Sequence, residues 1–342
     1  MTKYVYVLTI DETDYYLEQA LLSITLLRIH MPNAFVSLLV DDVTGKTLGE
    51  TTRKNILTLV NEIKVVEIDC QFDKKARSRW LKTSMRKHIE GNFLYIDCDT
   101  IICDNLSDIE KMNVDLGAVW DMHTRFQDNH NKRTIQGRYE TAGFDSPFIS
   151  NEYFNSGVIF CKNIPVCYDF FGEWHRLWLH SFNNGLMVDM PSLNQANCSM
   201  NNVIVELGGE WNCQISDKGA VNYLHSSKII HYFNVYKYES PYRLANKDII
   251  KNIKKTGSVN LEVKNMLLHP KSHFSSDTRL VNMDDATQKY FKNFRNEFNK
   301  SESYNIAKHI YNSKFHFVFE YVVPFIIKKI LKPVRKCIKK YT

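Results

Sequence analysis

Two aspartates separated by one cysteine follow a short apolar run, and their types and spacing suit them to chemistry. Residues 93–102 read Phe-Leu-Tyr-Ile-Asp-Cys-Asp-Thr-Ile-Ile, and the apolar part is typical of a buried strand. In an extended chain Asp97 and Asp99 point to the same side, where two carboxylates repel unless they share a cation. Such oxygen ligands suit Mg²⁺ or Mn²⁺ holding a phosphate-bearing substrate. The alternative is a set of solvated acids at the sheet rim, with Asp104 as a third.

The elements before this motif alternate between strands and helices. The apolar pattern predicts strands at 4–10, 35–40 and 63–68, and helices at 15–30, 51–61 and 76–88. This alternation indicates an α/β fold with a parallel or mostly parallel sheet and helices on both faces. Because ligands bind beyond the carboxyl ends of such strands, we expect Asp11, Asp41 and Asp97 to meet at one edge.

The second half of the sequence gives shorter signals. The polar stretch 123–150 is longer than most structureless loops, so it is predicted to be partly helical or to form a lid. A strand is predicted to open from a small-residue turn at 154–160. Asp189 is expected near the N-cap of a helix, with Pro191 in its first turn.

Three regions are predicted along the chain. They are a catalytic domain over 1–240, a helical or irregular extension over 241–303 and a basic, aromatic tail over 304–342. From Tyr321 onward there are seven basic residues and no acid, which leaves 37 basic against 38 acidic residues elsewhere. The aromatic run at 315–327 is too short to span a bilayer. Aromatics beside lysines favour attachment to an anionic membrane surface over nucleic acid, and a C-terminal helix packed on the body is the alternative.

The composition of the chain indicates the cellular compartment in which the protein is expected. Apolar residues make up 44% and charged residues 24% of the chain, which is ordinary for a globular protein. The eight cysteines form no C-x-x-C pair, which favours reduced thiols over a disulfide framework. The N-terminus leads straight into a strand without the apolar region of a signal peptide. We therefore expect a cytoplasmic protein, peripheral on the inner face of a bacterial cell membrane.

The order of the motifs resembles the retaining glycosyltransferases of family 8 over roughly the first 240 residues. The motifs are D-x-D at 97–99, F-N-S-G-V at 154–158, D-x-P-x-L-N at 189–194, W-N at 211–212 and H-x-x-x-x-x-K at 231–237. The resemblance implies a GT-A fold and transfer of a hexose from a UDP-sugar to a hydroxyl group. The implied acceptor is a saccharide or a lipid-linked glycan of lipopolysaccharide or capsule biosynthesis.

The resemblance also implies a role for each matching residue. Asp97 and Asp99, together with His231, would hold a divalent metal, usually Mn²⁺ and otherwise Mg²⁺, and Lys237 would contact the diphosphate. Further residues implied to bind the nucleotide sugar are Thr9, Ile10, Asp11, Tyr15, Cys98 and Arg79, with Lys82 as the alternative to Arg79. The donor sugar would contact Asn155, Ser156 and Asp189, of which Asn155 and Asp189 are the implied catalytic residues.

Two departures from the family pattern bear on the mechanism. Met190 stands where the family commonly has a glutamine, and a thioether cannot take that residue's suggested role as a nucleophile. This favours front-face retention, with the leaving phosphate oxygen as the base. Asn234 replaces a glycine in the loop after His231. The open alternatives are a haloacid-dehalogenase-type phosphatase using the D-x-D, and a membrane-bound protein that binds a nucleotide sugar without turnover.

Overall fold

The computed structural model describes residues 2–48, 52–144, 151–233 and 242–273. Its strands in chain order are β1 (Lys3–Leu8), β2 (Phe35–Asp41), β3 (Glu62–Val66), β4 (Phe93–Ile96), β5 (Thr100–Ile102), β6 (Leu116–Trp120), β7 (Phe154–Cys161), β8 (Val205–Glu206), β9 (Cys213–Gln214) and β10 (Ile229–His231). The central seven-stranded sheet has the order β3-β2-β1-β4-β7-β6-β8. Strand β7 runs antiparallel to β4 and β6, and the other pairs are parallel.

Helices cover the central sheet. They are α1 (Tyr16–His30), α2 (Asp42–Leu48), α3 (Lys74–Ser84), α4 (Lys132–Ala142), α5 (Pro165–Asn183), α6 (Met190–Ser199), α7 (Lys247–Thr256) and α8 (Leu261–Leu267). Strand β1 carries no charged residue after Lys3 because both of its faces are buried: Tyr6 and Leu8 join one core cluster, and Val5 and Val7 join another. The predicted α/β class with helices on both faces is thus confirmed. Within the described residues, no helix has both the length and the apolar character needed to cross a membrane.

The chain leaves the central sheet at the D-x-D motif. The buried strand predicted for the apolar run before Asp97 is confirmed as β4, which ends at Ile96, and β5 lies in a second sheet with the order β5-β10-β9. The backbone N–H of Asp97 donates to the Gly157 carbonyl (2.8 Å), and the Thr100 hydroxyl donates to the Asp97 carbonyl (2.8 Å). These bonds hold the bend between the two sheets, and the bend carries both aspartates.

Two other local predictions need correction. The small-residue turn expected at the start of 154–160 is instead part of β7, which runs unbroken through Gly157. The α-helix expected over 51–61 is a 3₁₀ helix at Thr52–Leu59. Its buried side chains, Arg53 and Ile56, are three residues apart, which is the repeat of a 3₁₀ helix.

Helix α3 is fixed against α5 through a buried histidine. The Thr83 hydroxyl lies 2.8 Å from Nδ1 of His175, and the Trp80 ring meets the imidazole edge-on at 5.0 Å. His175 is buried, and this burial lowers its pKa from 6.5 to about 4. The imidazole is therefore neutral in the folded protein at neutral pH.

We expect this histidine to make stability pH-dependent. Between pH 6.5 and 4 the unfolded chain binds a proton at His175 that the folded chain does not, so stability is full above this window and falls as the pH falls through it. The size is on the order of 3 kcal/mol, from 1.36 kcal/mol per pKa unit. Urea unfolding at pH 7 and pH 4.5 should show a smaller pH difference in His175→Gln than in the wild type. Equal differences would contradict the assignment.

Candidate active site

Three potential metal ligands meet where the two sheets adjoin. Strand β10 pairs antiparallel with β5, which sets His231 opposite Thr100 and beside the D-x-D bend. One ligand atom each from Asp97, Asp99 and His231 lies within 4.8 Å of the others, and Nε2 of His231 is 3.2 Å from Oδ1 of Asp99. Adjacent ligands of an octahedral ion with bonds of about 2.1 Å are roughly 3 Å apart. Two carboxylates and an imidazole therefore fit a divalent cation here.

Gly157 gives His231 the room it needs. A Cβ atom at position 157 would lie 2.4 Å from Cε1 and 2.7 Å from Nδ1 of His231, which no real Cβ tolerates. Position 157 is within a strand, so the requirement comes from the close approach of the imidazole and not from backbone conformation. The glycine of the F-N-S-G-V motif thus allows His231 to pack beside the D-x-D bend.

A second acidic centre lies at the start of α6. Asp189 is the N-cap residue, as predicted, but its carboxylate is bound by other side chains: Arg79 Nε at 3.0 Å, Lys82 Nζ at 3.3 Å and the Ser156 hydroxyl at 2.8 Å. Burial alone would raise the pKa of Asp189, but the two cations outweigh it and hold this pKa well below its usual range. A fully ionised carboxylate therefore sits in a buried pocket.

Lys82 connects this centre to the metal corner. Its ammonium group lies 3.2 Å from Oδ1 of Asp97 and 3.3 Å from Oδ2 of Asp189, and only 3% of its side chain is exposed. The Tyr95 hydroxyl also donates to Asp97. Both candidates for the donor-contacting cation, Arg79 and Lys82, are thus brought to the site.

Helix α3 supplies a cation to acids at three neighbouring strand ends. The pairs are Lys74 with Asp11 after β1, Arg77 with Asp41 in β2, and Lys82 with Asp97 after β4. The three acids that were predicted to lie along one edge of the sheet therefore each pair with a cation of α3. The sequence of residues 74–82 alone did not indicate which acid each of these cations contacts.

The loop after β1 is held from two sides. Oδ1 of Asp11 accepts from the backbone N–H groups of Thr13 (2.7 Å) and Asp14 (2.9 Å), which makes it a turn-forming acid as well as a partner of Lys74. Lys254 of α7 donates to the carbonyl of Asp14 at 2.6 Å and lies 4.7 Å from the Tyr15 ring centroid. Sequence reasoning missed Lys254, whose helix lies beyond every recognised motif.

The remaining predicted residues differ in their surroundings. Thr9 donates to the Lys74 carbonyl at 3.3 Å, the N–H of Ile10 donates to the Thr44 hydroxyl at 3.0 Å, and Cys98 is buried with its thiol 3.4 Å from the Val7 carbonyl. Met190 is partly buried and packs on an aromatic cluster of Phe126, Tyr139 and Tyr153 with Ile135. Lys237, Asn234 and the basic tail lie outside the described residues.

Asn155 and Ser156 are both buried, and Asn155 bonds to a separate set of polar groups. Its Nδ2 donates to Oδ1 of Asp121 at 3.0 Å, while its Oδ1 accepts from the Gly157 N–H (2.9 Å) and from Nδ2 of Asn212 (3.0 Å). Asp121 and Asn212 were not predicted as site residues. The only sequence signals for them were a strand end and the W-N motif.

Fold and site together define a class: an α/β protein with three potential metal ligands at its strand ends and a buried acid at the start of a neighbouring helix. The family model described as Glycosyl transferase family 8 matches residues 7–238, well over half the chain, and the chain therefore belongs to this family. The predicted GT-A fold class is confirmed with it. Membership favours a transferase over the haloacid-dehalogenase-type alternative.

Solved structures of glycosyltransferases are similar to this chain. The galactosyltransferase LgtC in complex with donor and acceptor sugar analogs is 13% identical (77% of this chain, 99% of that one, TM-score 0.47). Mouse xyloside xylosyltransferase 1 is 12% identical (68% and 97%, TM-score 0.43). The glycosyltransferase GlyE of Streptococcus pneumoniae TIGR4 is 16% identical (80% and 65%, TM-score 0.46). No curated protein gives a significant match.

Proposed function

We propose that this glycosyltransferase retains configuration while it moves a hexose from a UDP-sugar to a hydroxyl acceptor, with a divalent metal at its D-x-D. The observation that carries the proposal is the juxtaposition of the Asp97, Asp99 and His231 corner with Asp189, linked by Lys82. Family membership supplies the reaction class. Mn²⁺ is the proposed ion and Mg²⁺ the alternative, because two carboxylate ligands suit either.

Asp97, Asp99 and His231 would hold the metal. The bound ion supplies Lewis-acid chemistry, because it offsets negative charge that develops on the departing diphosphate. Lys237 is proposed to add charge stabilisation at the same group. Thr9, Ile10, Asp11, Tyr15 and Cys98 are proposed to line the nucleotide.

Asp189 is proposed to orient the donor sugar. Its carboxylate is ionised and accepts hydrogen bonds only, so it suits the hydroxyl groups of a hexose. Arg79 is 39% exposed, so it is proposed to contact the donor as well as Asp189. Lys82 is buried and holds the Asp189 carboxylate in place. Ser156 and Asn155 are proposed to line the donor-sugar site together with Asp189.

The bond changes follow from these positions. The C1–O bond to the diphosphate breaks, and a C1–O bond to the acceptor forms on the same face of the sugar. The acceptor's hydroxyl proton passes to the leaving phosphate oxygen. The Met190 thioether is a weak acceptor and has no proton to give, so no nucleophile is assigned there.

A donor screen tests the proposal. Incubation with UDP-Gal, UDP-Glc or UDP-GlcNAc and Mn²⁺ is expected to release UDP from at least one donor without acceptor, and EDTA should abolish the release. UDP binding by calorimetry without turnover of any donor would instead support the non-catalytic alternative. A stable phosphoenzyme on Asp97 would support the phosphatase.

We also propose that the acceptor is a bacterial surface glycan or glycolipid and that the protein acts peripherally at the inner face of the cell membrane. This rests on the aromatic and basic sequence of residues 304–342 alone. Seven cations without an acid after Tyr321 suit anionic headgroups. The net positive charge of the chain is concentrated in this tail.

A further inference from the structure

A chain of buried polar side chains runs from Asp121 to the potential metal ligand His231. Asp121, Asn155, Asn212 and His231 are exposed by 5%, 3%, 0% and 2%, so bulk solvent hardly reaches them and they bond mainly to one another and to neighbouring protein groups. Successive links measure 3.0, 3.0 and 2.9 Å. In a buried chain of this kind each group must present a donor to an acceptor, because an unmatched group is costly.

The direction of the first links is fixed by groups that cannot change their polarity. The Asp121 carboxylate only accepts, so the Asn155 atom facing it must be Nδ2. The Gly157 backbone N–H only donates, so the Asn155 atom facing it must be Oδ1. Two independent constraints thus give Asn155 the same orientation.

That orientation determines the next two links. Because Oδ1 of Asn155 also faces Asn212, the Asn212 side chain must present Nδ2 to it. The other end of the Asn212 amide, Oδ1, then lies 2.9 Å from Nδ1 of His231. An amide oxygen only accepts, so Nδ1 of His231 must carry a proton.

We propose that Asn212, oriented by Asn155, is a positioning residue that holds a proton on Nδ1 of His231 and so leaves Nε2 as its cation-binding atom. Nε2 is the nitrogen beside Asp99, at 3.2 Å. The partner of one ring nitrogen sets the protonation of a metal-binding histidine. The inference rests on the proposed metal role of His231. It adds that Asn212, which would not touch the metal, controls metal affinity through the proton on His231.

Metal binding and NMR spectroscopy test this inference separately. In the metal-free protein, a long-range ¹H–¹⁵N spectrum of neutral His231, assigned by difference against His231→Gln, should show the proton on Nδ1. Asn212→Leu should weaken Mn²⁺ binding about 10- to 100-fold, the usual effect of losing such a partner. Asn212→Asp keeps an acceptor for Nδ1–H, although it loses the donor to Asn155, and should restore the proton on Nδ1 and part of the affinity. Asp121→Asn should leave the proton on Nδ1, because the Gly157 N–H still fixes the orientation of Asn155.

The controls separate positioning from folding and from the proposed function. Asn197 is an equally buried asparagine outside this chain of hydrogen bonds, so Asn197→Leu should bind Mn²⁺ like the wild type even if it is less stable. A proton on Nε2 in the neutral wild-type ring, or unchanged Mn²⁺ affinity in Asn212→Leu, would overturn the inference. If Asn212→Leu does not fold, the tautomer of neutral His231 in the wild type decides. Failure of the wild type to bind Mn²⁺ would overturn the metal role, whereas the tautomer would still be measured.

Discussion

Asp97→Asn and Asp99→Asn are each expected to lower metal-dependent UDP release by roughly a thousandfold or more. The substitution keeps the shape of the side chain but replaces a carboxylate ligand with a neutral amide that binds a hard cation more weakly. Metal stabilisation of a departing phosphate supplies several kcal/mol, and each 1.36 kcal/mol is tenfold in rate. Losing most of that contribution gives the expected size.

The two variants should differ in their secondary effects. Asp97 also neutralises Lys82, whereas Asp99 contacts His231, so Asp97→Asn should disturb the Asp189 centre as well. Donor hydrolysis and Mn²⁺ titration calorimetry, with thermal unfolding as the check on folding, distinguish these effects. Asp104→Asn is the matched control, because this nearby acid is 57% exposed and outside the cluster. Activity near the wild-type level in either D-x-D variant would disprove the metal role.

The sequence was sufficient to place the candidate acids in the fold because the patterns that mark them are local. An apolar strand followed by two acids, and an aspartate placed just before a proline-containing helix, are patterns within a few residues. The structure places the two acids after the end of β4 and the aspartate at the N-cap of α6, as expected. Strand alternation alone also gave the α/β class, since a buried strand such as β1 must be apolar on both faces.

Partner choices between distant segments could not be predicted. Helix α3 carries several cations, and which of them reaches which acid depends on the helix axis relative to the sheet. The need for Gly157 exists only because His231, 74 positions later in the chain, packs against it. Asn212 gained its significance in the same way. Such requirements arise from tertiary contacts that leave no local periodicity.

Lys82→Met is expected to reduce both stability and activity, because it removes the cation shared by two buried or half-buried carboxylates. Breaking a buried ion pair by deleting one partner typically costs about 3–5 kcal/mol. Arg79 still contacts Asp189, and Tyr95 still donates to Asp97, so we expect a loss near the lower end, about 3 kcal/mol. Donor turnover should fall about a hundredfold or more, because Lys82 no longer holds the Asp189 carboxylate in position.

Combining Lys82→Met with Asp189→Asn separates the electrostatic cause from packing. If the loss of stability comes from a carboxylate left without its counter-ion, neutralising Asp189 should restore part of the lost free energy of unfolding. The double variant should then be more stable than Lys82→Met alone. Its activity should stay low, because the proposed sugar-binding carboxylate is gone. Chemical unfolding of both single variants and the double variant gives the coupling energy. Strictly additive losses would mean that Lys82 and Asp189 are not coupled, and that Lys82 contributes through packing of its side chain instead.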